Sequence, residues 1–240
     1  MESLRVLAAI AAQYGMWIHH VDASNAFVRS DLNIPNYTEV PEGVESFEAG
    51  ADGDMALELL KSLCGVHQSA NLLHEKIKSR LIDLGFKPSS ADASIFIGPG
   101  GIIMALYVDD ALVIGRSEET IYEVKEEMKA FHPMKDYGRS EKVLGLRIRQ
   151  LQDQGYVCID QERYALEVLD EFGFIESRTQ STPLSPSVQL EGEGVPRLDR
   201  RDHNLFRRII GRLTYLVIGT CADLALAVSY MHIYYHTVQP

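Results

Sequence analysis

Positive charge is what this sequence has too little of: 23 Lys and Arg stand against 34 Asp and Glu, a formal net charge of −11 over 240 residues. A protein that grips a phosphate backbone through surface cations normally carries the opposite balance, so composition alone counts against nucleic-acid binding. Cysteine is also scarce. Cys64, Cys158 and Cys221 are scattered, with no CxxC and no Cys/His pair at zinc spacing, which excludes a disulfide framework and fits a reducing compartment. No apolar run approaches the roughly 20 residues needed to span a bilayer, so no membrane partner is expected. The run Val6 to Ala12 after Arg5 is short for a signal peptide. Leu4, Leu7, Ala8 and Ala11 recur in it at helical spacing and Gly15 follows, so an amphipathic helix explains it better and an intracellular location is expected. Internal repeats and low-complexity tracts are absent.

What is present is enough apolar residue, 46% of the chain, to bury a core. Trp17 to Val21 reads as a short buried strand ending at Asp22, and a polar stretch with Pro35, Pro41 and Gly43 follows. Glu42 to Asp54 reads as an exposed loop. Leu73, Ile77, Leu81 and Leu84 predict a helix that Gly85 ends. Ile95 to Ile97, a Gly-Pro-Gly-Gly turn, Ile102 to Tyr107 and Ala111 to Ile114 predict consecutive antiparallel strands. Ser117 is placed to cap a helix carrying Ile121, Val124, Met128 and Phe131. Val143 to Ile148 and Tyr156 to Ile159 read as a hairpin, followed by a helix ending at Gly173. Ser181 to Arg197, with three prolines and two glycines, is the best linker candidate, and Asn204 to Ile218 predicts a further helix. The expected class is α+β: an antiparallel sheet with helices packed on one face.

The chemistry-bearing residues are acids at strand ends. Asp109 and Asp110 stand side by side at the corner between two apolar strands. Adjacent acids at a tight turn are often plain turn chemistry, because Asp bonds its own backbone and tolerates unusual dihedrals. Asp22, at the end of another apolar strand, changes the weighing. If those strands are neighbours, three carboxylates converge where no ordinary core tolerates them without a cation. Two Mg²⁺ ions about 3.5 to 4 Å apart on such a set serve in-line phosphoryl transfer.

Tyr107-Val108-Asp109-Asp110 resembles the YxDD signature of reverse transcriptases, and Val21-Asp22-Ala23-Ser24-Asn25-Ala26-Phe27 resembles the segment of the Ty1/copia type that carries the first catalytic acid. Further blocks are similar in the family's order: Tyr37 to Gly43, Leu60 to Ala70, Leu84 to Asp92, Phe131 to Leu146, Gln161 to Leu184 and Phe206 to Val228. The resemblance covers essentially the whole chain. It implies a right-hand polymerase palm with a thumb- and connection-like helical C-terminal part, and an RNA-directed DNA polymerase that uses Mg²⁺, with Mn²⁺ as a substitute. The partners it implies are an RNA or DNA template-primer and deoxynucleoside triphosphates.

Residue by residue, the resemblance makes Asp22, Asp109 and Asp110 the catalytic carboxylates and metal ligands. Phe27 matches the aromatic gate that crowds a ribonucleotide's 2′-hydroxyl, with core packing as the alternative. Gln68 and Tyr107 match nucleotide-contacting positions, although a polar helix-start residue reads the same way as Gln68. Lys135 falls near a family lysine that assists pyrophosphate departure, with a solvated lysine equally open. Gly145, within Val143 to Leu146, falls in the hairpin that grips the primer, with a buried strand as the alternative. His19 and His20 flank the strand before Asp22 and read as packed or exposed residues rather than ligands, because no partner lies at metal spacing.

The pattern has departures: Cys64 stands for a family Tyr, Asn71-Leu72-Leu73 for an Arg/Trp-bearing stretch, and Cys221-Ala222 for Arg-Pro. The expected organisation is a palm and thumb over 1–184, a linker over 185–203 and the start of a connection over 204–240, with the family's fingers strands largely missing. The chain is expected to be a truncated copy of doubtful activity, and the competing expectation is a non-catalytic remnant or co-opted binding module.

Overall fold

The first helix, α1 (Glu2–Tyr14), buries Leu4, Leu7, Ala8 and Ala11 as their spacing predicts. It stops at Gly15, whose φ of +62° needs no Cβ, and the Met16 N–H returns to the Ala11 carbonyl at 2.8 Å. In the computed structural model the described residues are 1–23, 32, 34–41, 56–62, 69–185 and 199–237, with the side chains of Ala70 and 234–237 excepted. The backbone divides into two units, one of Leu7–Ser140 with Gln152–Tyr156, the other of Met1–Val6, Glu141–Leu151 and Val157–Pro240.

The first unit is built on a six-stranded sheet. Its strands are β1 (Trp17–Asp22), β4 (Lys87–Pro88), β5 (Ile95–Ile97), β6 (Ile103–Tyr107), β7 (Asp110–Gly115) and β8 (Lys135–Arg139), in the order β4-β5-β6-β7-β1-β8. Every pairing is antiparallel. A separate two-stranded ribbon joins β2 (Tyr37–Glu39) to β3 (Ala56–Glu58). The Glu42 to Asp54 loop expected between them lies outside the described residues.

Strand alternation gives the sheet two distinct faces. Val21, Met104, Leu106, Ala111 and Val113 point to one, where Leu73, Ile77 and Leu81 of α2 (Ser69–Asp83) and Ile121 and Met128 of α3 (Glu118–Phe131) complete a buried cluster. These two helices form the layer the sequence predicts. Ile18, Leu112 and Ile114 on the opposite face are buried as well, and there Ile10 and Tyr14 of α1 line a cavity of about 390 Å³ with Ile103. Ser117 caps α3 through the Thr120 N–H, as its position predicts.

The second unit holds a three-stranded sheet of β9 (Lys142–Val143), β10 (Leu146–Leu151) and β11 (Tyr156–Asp160), with α4 (Glu162–Glu171), α5 (Arg200–Gly219) and α6 (Ala225–Thr237). Tyr215 of α5 ties it together: its hydroxyl donates to the Leu144 carbonyl at 2.8 Å, and its ring meets Tyr164 of α4 edge to face at 4.7 Å. Glu171 accepts from Arg208 and Arg212. Arg5 donates to the carbonyls of Ile218 and Gly219, the favourable end of the α5 dipole for a cation. Residues 186–198 of the expected linker lie outside the described residues. Among the described residues no helix is long and apolar enough to cross a membrane.

Candidate active site

The β6–β7 corner is a two-residue hairpin. Tyr107 and Asp110 pair across it, and Val108 and Asp109 form its tip. Val108 has φ +61°, a conformation that costs a β-branched residue on the order of 1–2 kcal/mol. Two-residue hairpins match the twist of their strands only with positive φ at the turn, so the strain follows from the tightness of this corner. The tip is fastened to the neighbouring strand, since the Ala23 N–H donates to the Asp109 carbonyl at 2.7 Å.

That bond and the register of β1 on β7 bring the three expected acids together. Asp22 is the cross-strand partner of Asp110, and Asp109 is at the tip beside them. Electrostatics agrees with the geometry. The Asp22 carboxyl is pushed above the usual range by burial first, then by the negative charges of Asp109 and Asp110, while His20 and Lys135 pull it down. A carboxylate raised by two like-charged neighbours is the signature of a cluster short of positive charge.

Two residues that the sequence left as bystanders belong to this face. His20 Nε2 donates to Asp110 Oδ1 at 2.7 Å; an ionised carboxylate only accepts, so the hydrogen sits on Nε2. His20, expected to be a packed or exposed residue rather than a ligand, has a hydrogen-bond partner 90 positions away that no local spacing reveals. Its ring stacks on Tyr137 at 4.8 Å and 15°, and the Lys135 ammonium lies 4.6 Å from the Tyr137 centroid. Lys135 is the cross-strand partner of Asp22.

All of this depends on β8, a strand the polar sequence Lys-Asp-Tyr-Gly-Arg did not announce. His20 pairs with Gly138 and Val21 with Asp136, so Tyr137 is an extra residue, a bulge made possible by the φ of +72° at Gly138. Tyr137 and Lys135, two residues apart, share one face by strand alternation, and the bulge shifts the register beyond them so that Arg139 pairs with His19 on the other face.

Tyr107 is also at this corner, and other expected residues fall elsewhere. Phe27, Gln68 and Cys64 lie outside the described residues. Tyr107 ends β6 with its hydroxyl buried and without a hydrogen-bond partner among the described residues, and burial followed by the charge of Asp92 raises its pKa. Gly145 is in the second unit, at a turn where Leu144 and Gly145 both have positive φ, and a Cβ there would meet the Tyr215 hydroxyl at 2.1 Å.

Three carboxylates gathered at one corner fit a hard divalent cation in charge and donor type. The side chains are not closed into such a site as they stand. Among the described residues no three His, Cys, Asp or Glu side chains are arranged to hold an ion, and Asp110 is turned to His20.

A family model described as reverse transcriptase (RNA-dependent DNA polymerase) matches residues 1–186. The Pol polyprotein of transposon TNT 1-94 from Nicotiana tabacum is 28% identical over 95% of the chain, and that of transposon RE1 from Arabidopsis thaliana 26% identical over 98%. The chain belongs to the Ty1/copia-type reverse transcriptases. A Ty5-1 transposon protein of Saccharomyces cerevisiae is 28% identical over 87% of this reverse transcriptase chain. The chain spans 18% and 16% of the two plant polyproteins and 67% of the yeast protein.

Proposed function

We propose that this chain carries the DNA-polymerising site of a Ty1/copia-type element, adding deoxynucleotides to a primer 3′-hydroxyl on an RNA or DNA template. The observation that carries this reading is the register that sets Asp22 opposite Asp110, with Asp109 tied to the end of the same strand. Asp22, Asp109 and Asp110 are the residues that would hold Mg²⁺ or Mn²⁺. Such a cation, when bound, supplies the positive charge that offsets the carboxylates and the substrate phosphates and acidifies the attacking hydroxyl.

The protein's own groups do the rest. His20 orients Asp110 by taking one of its oxygens, which leaves the other free. The Lys135 ammonium, on the same face as Asp22, offers a proton and a positive charge to the departing pyrophosphate. By the resemblance, Phe27 excludes the ribonucleotide 2′-hydroxyl, Gln68 and Tyr107 contact the nucleotide, and the Gly145 turn braced by Tyr215 bears on the primer. Residues 1–184 then comprise palm and thumb, 185–203 a linker, and 204–240 the start of a connection.

The net charge of −11 favours a second reading, a chain that keeps the fold without holding template. The deciding experiment is Mg²⁺-dependent extension of a DNA primer on an RNA template by the purified chain, beside an Asp109→Asn/Asp110→Asn control. Extension that the control loses supports the polymerase. A folded chain that leaves the primer untouched supports the second reading.

A further inference from the structure

Lys125 sits where a helix should carry a leucine. On α3, Ile121, Lys125 and Met128 follow one another at helical spacing on the buried stripe, and the Lys125 side chain is only 4% exposed. An ammonium is rarely buried to this degree unless it is paired. Its partners lie under the sheet: Nζ is 2.8 Å from Asp136 Oδ2 and 2.9 Å from Oδ1, and it donates to His19 Nδ1 at 3.1 Å. Asp136 also accepts from Lys129 at 3.2 Å and from the Gly138 N–H at 2.9 Å. His19 passes the chain on to Glu118 at 3.2 Å, and Glu118 holds Arg139 at 2.8 Å.

Apart from these bonds, the strand is held by its pairing with β1, by the Tyr137 stack on His20 and by Met134 packed against the core. β8 is an edge strand of five residues whose side chains are half-buried at most. A slip of one residue would send Lys135 to the other face. Arg139, stacked on Trp17 at 3.6 Å, fixes only the end beyond the Tyr137 bulge. On the Lys135 side of the bulge, Asp136 is the residue gripped from below.

We propose that Lys125 is a positioning residue: by holding Asp136 beneath the sheet it sets the bulged register of β8 on β1 and keeps Lys135 across from Asp22. Asp136 and Lys135 are consecutive and face opposite sides, so the anchor and the working cation are back to back on one strand. The value of that placement for catalysis rests on the proposed polymerase function; the register itself does not.

The test uses the full chain with Lys125→Met, Lys125→Arg and Asp136→Asn. In folded Lys125→Met, hydrogen exchange of the β8 amides should rise about tenfold while β6 and β7 keep their protection, and amine-reactive labelling of Lys135 should change about threefold. Primer extension should lose about tenfold in kcat with the nucleotide KM within about threefold, because an aligned group has moved while binding surfaces have not. Lys125→Arg should recover most of each. Unchanged β8 exchange and Lys135 labelling in folded Lys125→Met would overturn the proposal. If that variant does not fold, Asp136→Asn is judged by the same two readings. If the parent chain extends no primer yet the exchange and labelling shift as expected, the polymerase reading fails and the positioning role stands.

Discussion

The two faces of β1 carry opposite electrostatics within one strand. On the face of His20 and Asp22, three carboxylates meet one lysine and one histidine, and the Asp22 carboxyl is raised by burial and by its acidic neighbours. On the face of His19, Lys125, Lys129 and Arg139 close on Asp136, Glu118 and Glu126, and the first two of these acids are held down to about 2. For Asp136, burial works against ionisation, and the bonds from Lys125, Gly138 N–H and Lys129 outweigh it. A set of charges that neutralises itself is architecture. A set left with excess charge of one sign beside a strained turn at Val108 is the pattern expected of a ligand site, and that difference, more than the acids as such, supports the proposed one.

Removing charge should therefore have opposite consequences on the two faces. The largest effect is expected from Asp109→Asn, which should reduce primer extension by on the order of 10³-fold or more with little change in melting temperature. A variant that keeps a tenth of the parent rate would remove Asp109 from the chemistry. On the other face, Lys125→Met breaks a buried pair and should destabilise the first unit by about 3 kcal/mol, read by urea denaturation. In the second unit, Gly145→Ala places a Cβ against the Tyr215 hydroxyl at a φ of +79°, and a loss of about 1–3 kcal/mol is expected there. An unaffected Gly145→Ala would mean that the turn relaxes away from Tyr215.

The comparison also explains what sequence could and could not disclose. Strongly apolar strands and their acids were legible: Trp17–Asp22, Ile103–Tyr107 and Asp110–Gly115 lie where the pattern predicts them, and the helices carrying Leu73 and Ile121 match within a residue or two at their ends. Apolar runs broadcast their burial because the hydrophobic effect is indifferent to partners. β8 was illegible for the converse reason. Lys-Asp-Tyr-Gly-Arg has no apolar alternation, and its strand character comes from β1, from Lys125 and from a glycine bulge, all contributed at long range. The roles of His20 and Tyr137 went unread with it, since a stacking partner exists only once the register is known.

Asp22 gives the smallest and sharpest contrast. Its folded pKa lies above the ordinary carboxyl value of 3.8, so the folded state binds this proton more tightly than the unfolded chain does. The stabilisation is complete below pH 3.8 and is lost as the pH rises through the elevated value; at neutral pH the charge on Asp22 opposes folding. Asp22→Asn should accordingly leave stability at pH 7 unchanged or raise it by up to about 1 kcal/mol while abolishing primer extension, the trade expected of a group kept for function rather than for fold. Asp136 has the reverse sign. Its depressed pKa contributes stability above pH 3.8 that disappears as the pH falls towards 2, so Asp136→Asn should lose stability at neutral pH and flatten that acid arm. Thermal denaturation of both variants between roughly pH 1.5 and 7, which spans both transitions, checks the pair. If Asp22→Asn and Asp136→Asn both destabilise at neutral pH, the carboxylate face is as well compensated as the underside, and its claim to be the site weakens accordingly.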